Sequence, residues 1–136
     1  MKKLKYFFLI VDLGFILYWL ITLFEFFPDE FLFKDYENPA LVAWNWSFLP
    51  LDLAISSTGL LSLLLWKKGK GSWQNMARIS LSLTFCSGLQ AISFWVIRSD
   101  FDPAWWLPNL FLMIYPLFFI SKLTYEAEPS LRHQDV

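Results

Sequence analysis

Two carboxylic acids stand inside long apolar stretches of this 136-residue chain, where an acid is costly. Asp52 lies near the middle of the stretch 41–66, and Asp12 lies in the first half of the stretch 6–27. A carboxylate near the centre of a bilayer costs about 2.5–3.5 kcal/mol on insertion scales. Because neither side chain can reach the headgroups as Lys or Arg does, we expect both acids to face the interior of a helix bundle and to mark a functional site.

Polar residues with helical spacing accompany Asp52. At about 100° per residue, Asn45, Asp52 and Gly59 lie on one face of a helix. Pro50 has no backbone N–H, so the carbonyl of Trp46 loses its helical partner, and a kink just outside Asp52 is expected. A kink, a free carbonyl and two polar side chains predict a polar pocket. The predicted ligand-binding residues are Asp52, Asn45, Asp12, Gln90, Asn109 and Trp46.

Purely structural roles stay open for several of these groups. Asn45, Gln90 and Asn109 could hydrogen-bond across helices, an interaction worth about 0.6 kcal/mol on average in membrane proteins. Asp12 is shallow enough to reach water at the inner surface, so the functional interpretation is stronger for Asp52. A stripe of small residues also permits close helix approach. It consists of Ser80, Thr84, Ser87 and Ala91.

Other chemistry finds little support in the sequence. The single cysteine, Cys86, and the single histidine, His133, cannot form a Cys–His metal cluster or a dithiol redox pair. The basic turn 67–71 lacks the spacing of a phosphate-binding loop. Eleven basic and twelve acidic residues leave no basic excess for nucleic-acid binding. We therefore expect no cofactor, no metal and no nucleic-acid partner.

The elements that position the two acids must be helices long enough to cross a bilayer. A hydrocarbon core about 30 Å thick is crossed by roughly 20 helical residues. A soluble bundle would have a polar outer face with the helical period, and the segments 60–66 and 111–120 lack one. We therefore predict an all-α polytopic membrane protein, a four-transmembrane-helix bundle in one domain, 1–125, followed by a polar cytoplasmic tail, 126–136. The four spans are predicted at about 6–27, 41–66, 76–97 and 105–125.

The basic residues predict the orientation of this bundle. Cytoplasmic segments of membrane proteins carry an excess of Lys and Arg. Nine of the eleven basic residues fall on the side of the two termini, and only Lys34 and Arg98 fall on the other. The prediction is a multi-pass protein of the cell membrane with both termini cytoplasmic (N-in/C-in). Trp44, Trp95 and Trp105 fall at the predicted outer ends, and we interpret them as anchors in the headgroup region.

Three stretches of the chain are similar to a known family. Their sequences are DLGFILYW at 12–19, WNWSFLPLD at 44–52 and CSGLQAISFW at 86–95. Together they resemble the YvaD-like family of small four-helix membrane proteins of bacilli, over about residues 4–122. The resemblance implies the fold and the location, and it transfers no catalytic residue. The plan of four helices with buried acids is also similar, more distantly, to the sterol isomerase and sigma-2 receptor group, whose members bind apolar, often cationic ligands.

Binding is the function that these residues favour. A small apolar or cationic ligand, a lipid or a partner helix would lie around Asp52, with Trp and Phe rings supplying cation–π contacts. The alternative is a proton-coupled small-molecule transporter. A third interpretation is a membrane enzyme acting on a lipid or isoprenoid, which would need two carboxylates at similar depth. Asp12 and Asp52 are expected to differ in depth by more than a helical turn, which counts against an enzyme of this kind. A homodimer or a partner membrane protein also stays open.

Overall fold

The apolar stretches form helices throughout the part of the chain that the structure describes. The structure is a computed structural model, and it describes residues 1–32 and 35–132, with side chains up to residue 125. The helices are α1 (Leu4–Leu23), α2 (Pro39–Trp46), α3 (Leu49–Lys67), α4 (Trp73–Ile97) and α5 (Pro103–Arg132), with a short 3-10 helix (Asp29–Phe31) between α1 and α2. The all-α prediction is therefore confirmed.

Among the described residues, four helical units are long and apolar enough to cross a membrane. They are Leu4–Leu23, Pro39–Lys67, Trp73–Ile97 and Pro103–Tyr125, and the second of them joins α2 and α3. Their ends lie within four residues of the predicted spans. Helix α5 continues to Arg132, so the backbone of the predicted tail is helical up to that residue. Residues 133–136 of that tail, and the predicted outer-side Lys34, lie outside the described residues.

A short interruption separates α2 from α3, as the kink expected at Pro50 requires. Since Pro50 has no N–H, the carbonyl of Trp46 has no donor four residues later. In the turn Ser47–Phe48, the N–H of Phe48 donates to the carbonyl oxygen of Asn45, three residues back, at 3.2 Å. The N–H of Asp52 then donates to the carbonyl oxygen of Phe48 at 2.8 Å, which starts the regular ladder of α3. Asp52 consequently lies in the first turn of a new helix.

The helices pack in the order α1, α3, α4, α5. Near the chain termini, aromatic rings also bring the first and last helices of this order, α1 and α5, into contact. The ring centroid of Phe7 lies 5.1 Å from that of Tyr115 and 5.0 Å from that of Phe119. The small-residue stripe of α4 is buried in the middle of this arrangement. It therefore packs helices of one chain together, and it offers no support for a homodimer through that face.

Gly88 allows α4 and α5 to approach closely. A Cβ atom built at this position would lie 2.7 Å from the carbonyl oxygen of Asn109 and 2.7 Å from the amide nitrogen of Met113. Both are backbone atoms of α5, so neither can move aside as the end of a side chain would. Small residues at such crossings are what lets membrane helices associate by packing.

We expect Gly88→Ala to destabilise the fold by about 1–3 kcal/mol, the usual cost of overpacking a close contact. Gly14→Ala is the matched control, because nothing lies within 4 Å of a Cβ at that position. The measurement is thermal unfolding in detergent, followed by helical circular dichroism. Equal melting temperatures for the two variants would contradict the close approach of α4 and α5.

Candidate functional site

A cavity of about 330 Å³ lies between the helices on the side of the α4–α5 connection. All four helical units contribute to its wall, which is mostly aromatic and aliphatic. Four polar side chains interrupt that apolar lining: Asn45, Asp52, Ser87 and Asn109. Among the lining residues Asp52 is the only acid, and none of them is basic. The cavity therefore combines a large apolar surface with a single carboxylate.

The carboxylate of Asp52 is held by helix α1. Only 5% of the residue is exposed, and its Oδ2 accepts a hydrogen bond of 2.9 Å from the indole Nε1–H of Trp19. Its Oδ1 is buried and has no hydrogen-bond partner among the described residues; the hydroxyl of Ser87 is nearby. The position in the first turn of α3 also favours an acid, since the helix dipole is positive there.

Asn45 is also held by helix α1, through Tyr18, the residue before Trp19. The hydroxyl of Tyr18 lies 3.3 Å from Asn45 Oδ1 and 3.3 Å from the carbonyl oxygen of Leu32, and its one proton serves both acceptors. Asn45 Nδ2 is buried, and no acceptor for it is found within the described chain. Each of the two polar residues thus has one atom fixed by α1 and one atom without a partner.

Packed aromatic rings form much of the cavity wall. The ring of Trp44 stacks on Phe94 at a centroid distance of 4.2 Å and meets Phe48 edge-on at 4.9 Å. Trp95 packs edge-on against the same Phe94 at 5.0 Å, and Trp105 lines the cavity from α5. The interpretation of Trp95 as a headgroup anchor therefore needs correction, because only 8% of the residue is exposed. Trp44 and Trp105 are half-buried and line the cavity, and their role as anchors stays a prediction.

Asp12 lies apart from the cavity, in the half of the bundle near the termini. It is 0% exposed, and neither carboxylate oxygen has a hydrogen-bond partner in the described part of the chain. The carboxyl group is in contact with the Cα side of Gly59, and the Asp12 carbonyl oxygen accepts a bond of 3.0 Å from the hydroxyl of Ser56. Seven residues of α1 separate Asp12 from Trp19, which is about 10 Å along the axis.

The structure brings three of the six predicted ligand-binding residues to one cavity, namely Asp52, Asn45 and Asn109. The amide of Asn109 is partly used within α5, because its Nδ2 donates to the carbonyl oxygen of Trp105 at 2.7 Å. Trp46 packs against Trp19 at 5.4 Å between ring centroids and is not part of the lining.

Gln90 lies on a different face of α4 from the residues that line the cavity. It is exposed, whereas its neighbour Ala91 is in the lining. One helical residue corresponds to a turn of about 100° around the axis, so the two side chains point in different directions. We therefore leave Gln90, like Asp12, out of the site.

Sequence reasoning missed the two residues of α1 that hold the polar groups, Tyr18 and Trp19. A signal for Trp19 was present, because seven helical residues return to nearly the same face as Asp12. Within the described residues, no group of three His, Cys, Asp or Glu side chains is placed to hold a metal ion. The arrangement suits reversible binding by charge, hydrogen bonds and aromatic contact.

Comparison with known proteins covers nearly the whole chain. A family described as a family of unknown function (DUF5360) matches residues 4–130. The chain belongs to this family. The Uncharacterized protein YvaD of Bacillus subtilis (strain 168) is 56% identical over 127 residues, which is 93% of this chain and 96% of that relative. The resemblance to the YvaD-like family is thereby confirmed, and no solved structure matches the chain. Every residue of the cavity wall lies within the stretch that the DUF5360 family covers.

We expect Trp19→Phe to destabilise the protein by about 1–3 kcal/mol, because it leaves both oxygens of a buried carboxylate without a donor. In an Asp52→Leu background the same substitution should cost clearly less, since no carboxylate is then left unpartnered. Denaturant unfolding of the four proteins measures this coupling as a double-mutant cycle. Equal costs in the two backgrounds would show that the indole acts only by packing.

Proposed function

We propose that this protein crosses the cell membrane four times, with both termini in the cytoplasm. Its four helical units have the necessary length and hydropathy. Their outer faces carry large exposed apolar side chains, which suit lipid better than water. Examples are Ile10, Leu17, Ile114 and Phe118. The excess of Lys and Arg on the side of the termini supports this orientation, and the cavity then lies in the outer half of the bilayer.

Cysteine labelling tests this topology. We expect Glu37→Cys, in a Cys86→Ser background, to react with a membrane-impermeant maleimide on intact cells. Lys68→Cys in the same background should react only after the membrane is permeabilised, because positive-inside placement puts it in the cytoplasm. The opposite pattern would show the reverse orientation. Labelling of both variants on intact cells would show that the protein does not insert in one orientation only.

We propose further that the outer cavity binds a small organic cation with an apolar body. The observation that carries this proposal is the isolation of Asp52, the only acid in a cavity without a basic residue in its lining. Indole and phenyl rings attract cations through their negative faces, and Trp44, Trp95 and Trp105 surround the space. The volume of about 330 Å³ suits a small ligand, since such sites usually span about 300–1,000 Å³.

The packing beneath the cavity favours binding over transport or catalysis. Ile55 and Ser56 follow Asp52 on α3 and are buried, as are Leu81 and Thr84 on α4. These side chains fill the space between the cavity and the half of the bundle near the termini, whereas a transporter needs a path through it. A two-carboxylate enzyme would need a second acid in the cavity, and Asp12 does not line it. The volume of about 330 Å³ also fits a small molecule better than a partner helix.

A single substitution tests the role of Asp52. We expect 3-phenylpropylammonium to bind at least about tenfold more weakly to Asp52→Asn than to the natural protein, because the charge pair is worth at least about 1.4 kcal/mol away from water. Asn keeps an acceptor for Trp19, so the fold is retained. The measurement is calorimetry, together with tryptophan fluorescence from the cavity wall.

Asp29→Asn is the matched control for this experiment. It removes the same charge from an exposed position on the same side of the bundle, and it should leave the affinity unchanged. Equal affinity of Asp52→Asn and the natural protein, or no binding of this cation at millimolar concentration, would refute the proposed function.

A further inference from the structure

Two unpartnered polar atoms, on residues that line the cavity, define the ligand more closely than charge alone. They are Asp52 Oδ1, an acceptor, and Asn45 Nδ2, a donor. Buried polar groups in native proteins almost always have a hydrogen-bond partner, and each exception calls for an explanation. Here an acceptor and a donor stand unpartnered at one cavity. A bound molecule with the complementary pair of groups would satisfy both.

The other atom of each group is already committed to α1. Trp19 donates to Asp52 Oδ2 at 2.9 Å, and Tyr18 donates to Asn45 Oδ1. These two bonds hold one polar atom of each group in place. As a result, the carboxylate offers one oxygen for a charged donor, and the amide offers its N–H₂ group for an acceptor.

We propose that the ligand is a protonated amine with at least one N–H and with an oxygen acceptor several bonds away from the nitrogen. This inference rests on the proposed function, because it refines the ligand of the same cavity. The N–H donates to Asp52 Oδ1, and the oxygen accepts from Asn45 Nδ2. A quaternary ammonium ion keeps its attraction to the aromatic rings, but it has no N–H to donate, so it leaves Asp52 Oδ1 unpartnered.

The spacing of the two residues limits the distance between the two ligand groups. Asn45 and Asp52 are seven residues apart on either side of the break between α2 and α3, a separation on the order of 10 Å at helical rise, and both residues line the same cavity. The nitrogen of the ligand therefore lies deeper and the oxygen lies nearer the outer end. A vicinal amino alcohol is too short to reach both residues, whereas an amine and an ether on opposite ends of a phenyl ring have a suitable separation.

Three probes with the same ring test the proposal. They are 3-(4-methoxyphenyl)propylammonium, its N,N,N-trimethyl analogue, and 3-phenylpropylammonium, which lacks the methoxy oxygen. Calorimetry on the natural protein should give the methoxy primary amine at least tenfold tighter binding than its trimethyl analogue. It should bind at least threefold tighter than the probe without the methoxy group. These comparisons need no variant, so they do not depend on the folding of one.

Variants then assign each preference to its residue. Asp52→Asn should remove the preference for N–H over trimethyl and keep the advantage of the methoxy group, whereas Asn45→Ala should do the reverse. Asp29→Asn, at an exposed position outside the cavity lining, should change neither preference. If Ser87→Ala abolished the N–H preference and Asp52→Asn kept it, the assignment to Asp52 Oδ1 would be overturned, because the hydroxyl of Ser87 lies near Asp52.

The outcomes separate this inference from the proposed function. Equal affinities of the primary amine and its trimethyl analogue in the natural protein, both weakened by Asp52→Asn, would overturn the inference and leave cation binding in place. The inference would also fail if the methoxy group gave no advantage. If none of the probes bound, both proposals would fall together.

Discussion

The antiparallel pairing of α1 with α3 is the constraint on which the rest of this structure depends. It is fixed by contacts at two levels, with Trp19 bonded to Asp52 at one level and the Asp12 backbone bonded to Ser56 at the other. A buried acid is tolerated only where its charge or its proton finds compensation. For Asp52 that compensation is an indole N–H and the first turn of a helix. A shift of one helix along the other would remove the indole donor and move the cavity wall.

The two buried acids, Asp52 and Asp12, differ in the surroundings of their carboxyl groups. Asp52 lies beside open space, because it lines the cavity together with large aromatic rings of α1, α2, α4 and α5. Asp12 lies against Gly59, whose missing side chain leaves just enough room for the carboxyl group. The same residue type therefore borders a cavity in one case and is enclosed by protein in the other.

The helices and one polar face could be predicted from the sequence, because both follow from local rules. Apolar length indicates a span, and a 100° step places Asn45 and Asp52 on one face, where the structure has them. The partners of that face could not be predicted, since periodicity does not say which helix it meets; Trp19 was missed for this reason. Trp95 was misassigned because an indole at the end of a span suits both a headgroup layer and an aromatic cavity wall.

The break between α2 and α3 gives the cavity a mechanical link to its surroundings. Together the two helices form a unit of 29 residues, about 44 Å long if straight, which exceeds a hydrocarbon core of about 30 Å. Helix α3 alone, with 19 residues, is about 28 Å long and matches it. In the proposed orientation, a tilt of α2 about Ser47–Phe48 would relieve this hydrophobic mismatch. Because α2 carries Trp44 and Asn45, such a tilt would move two residues of the cavity wall, so the thickness of the outer leaflet would act on the width of the cavity.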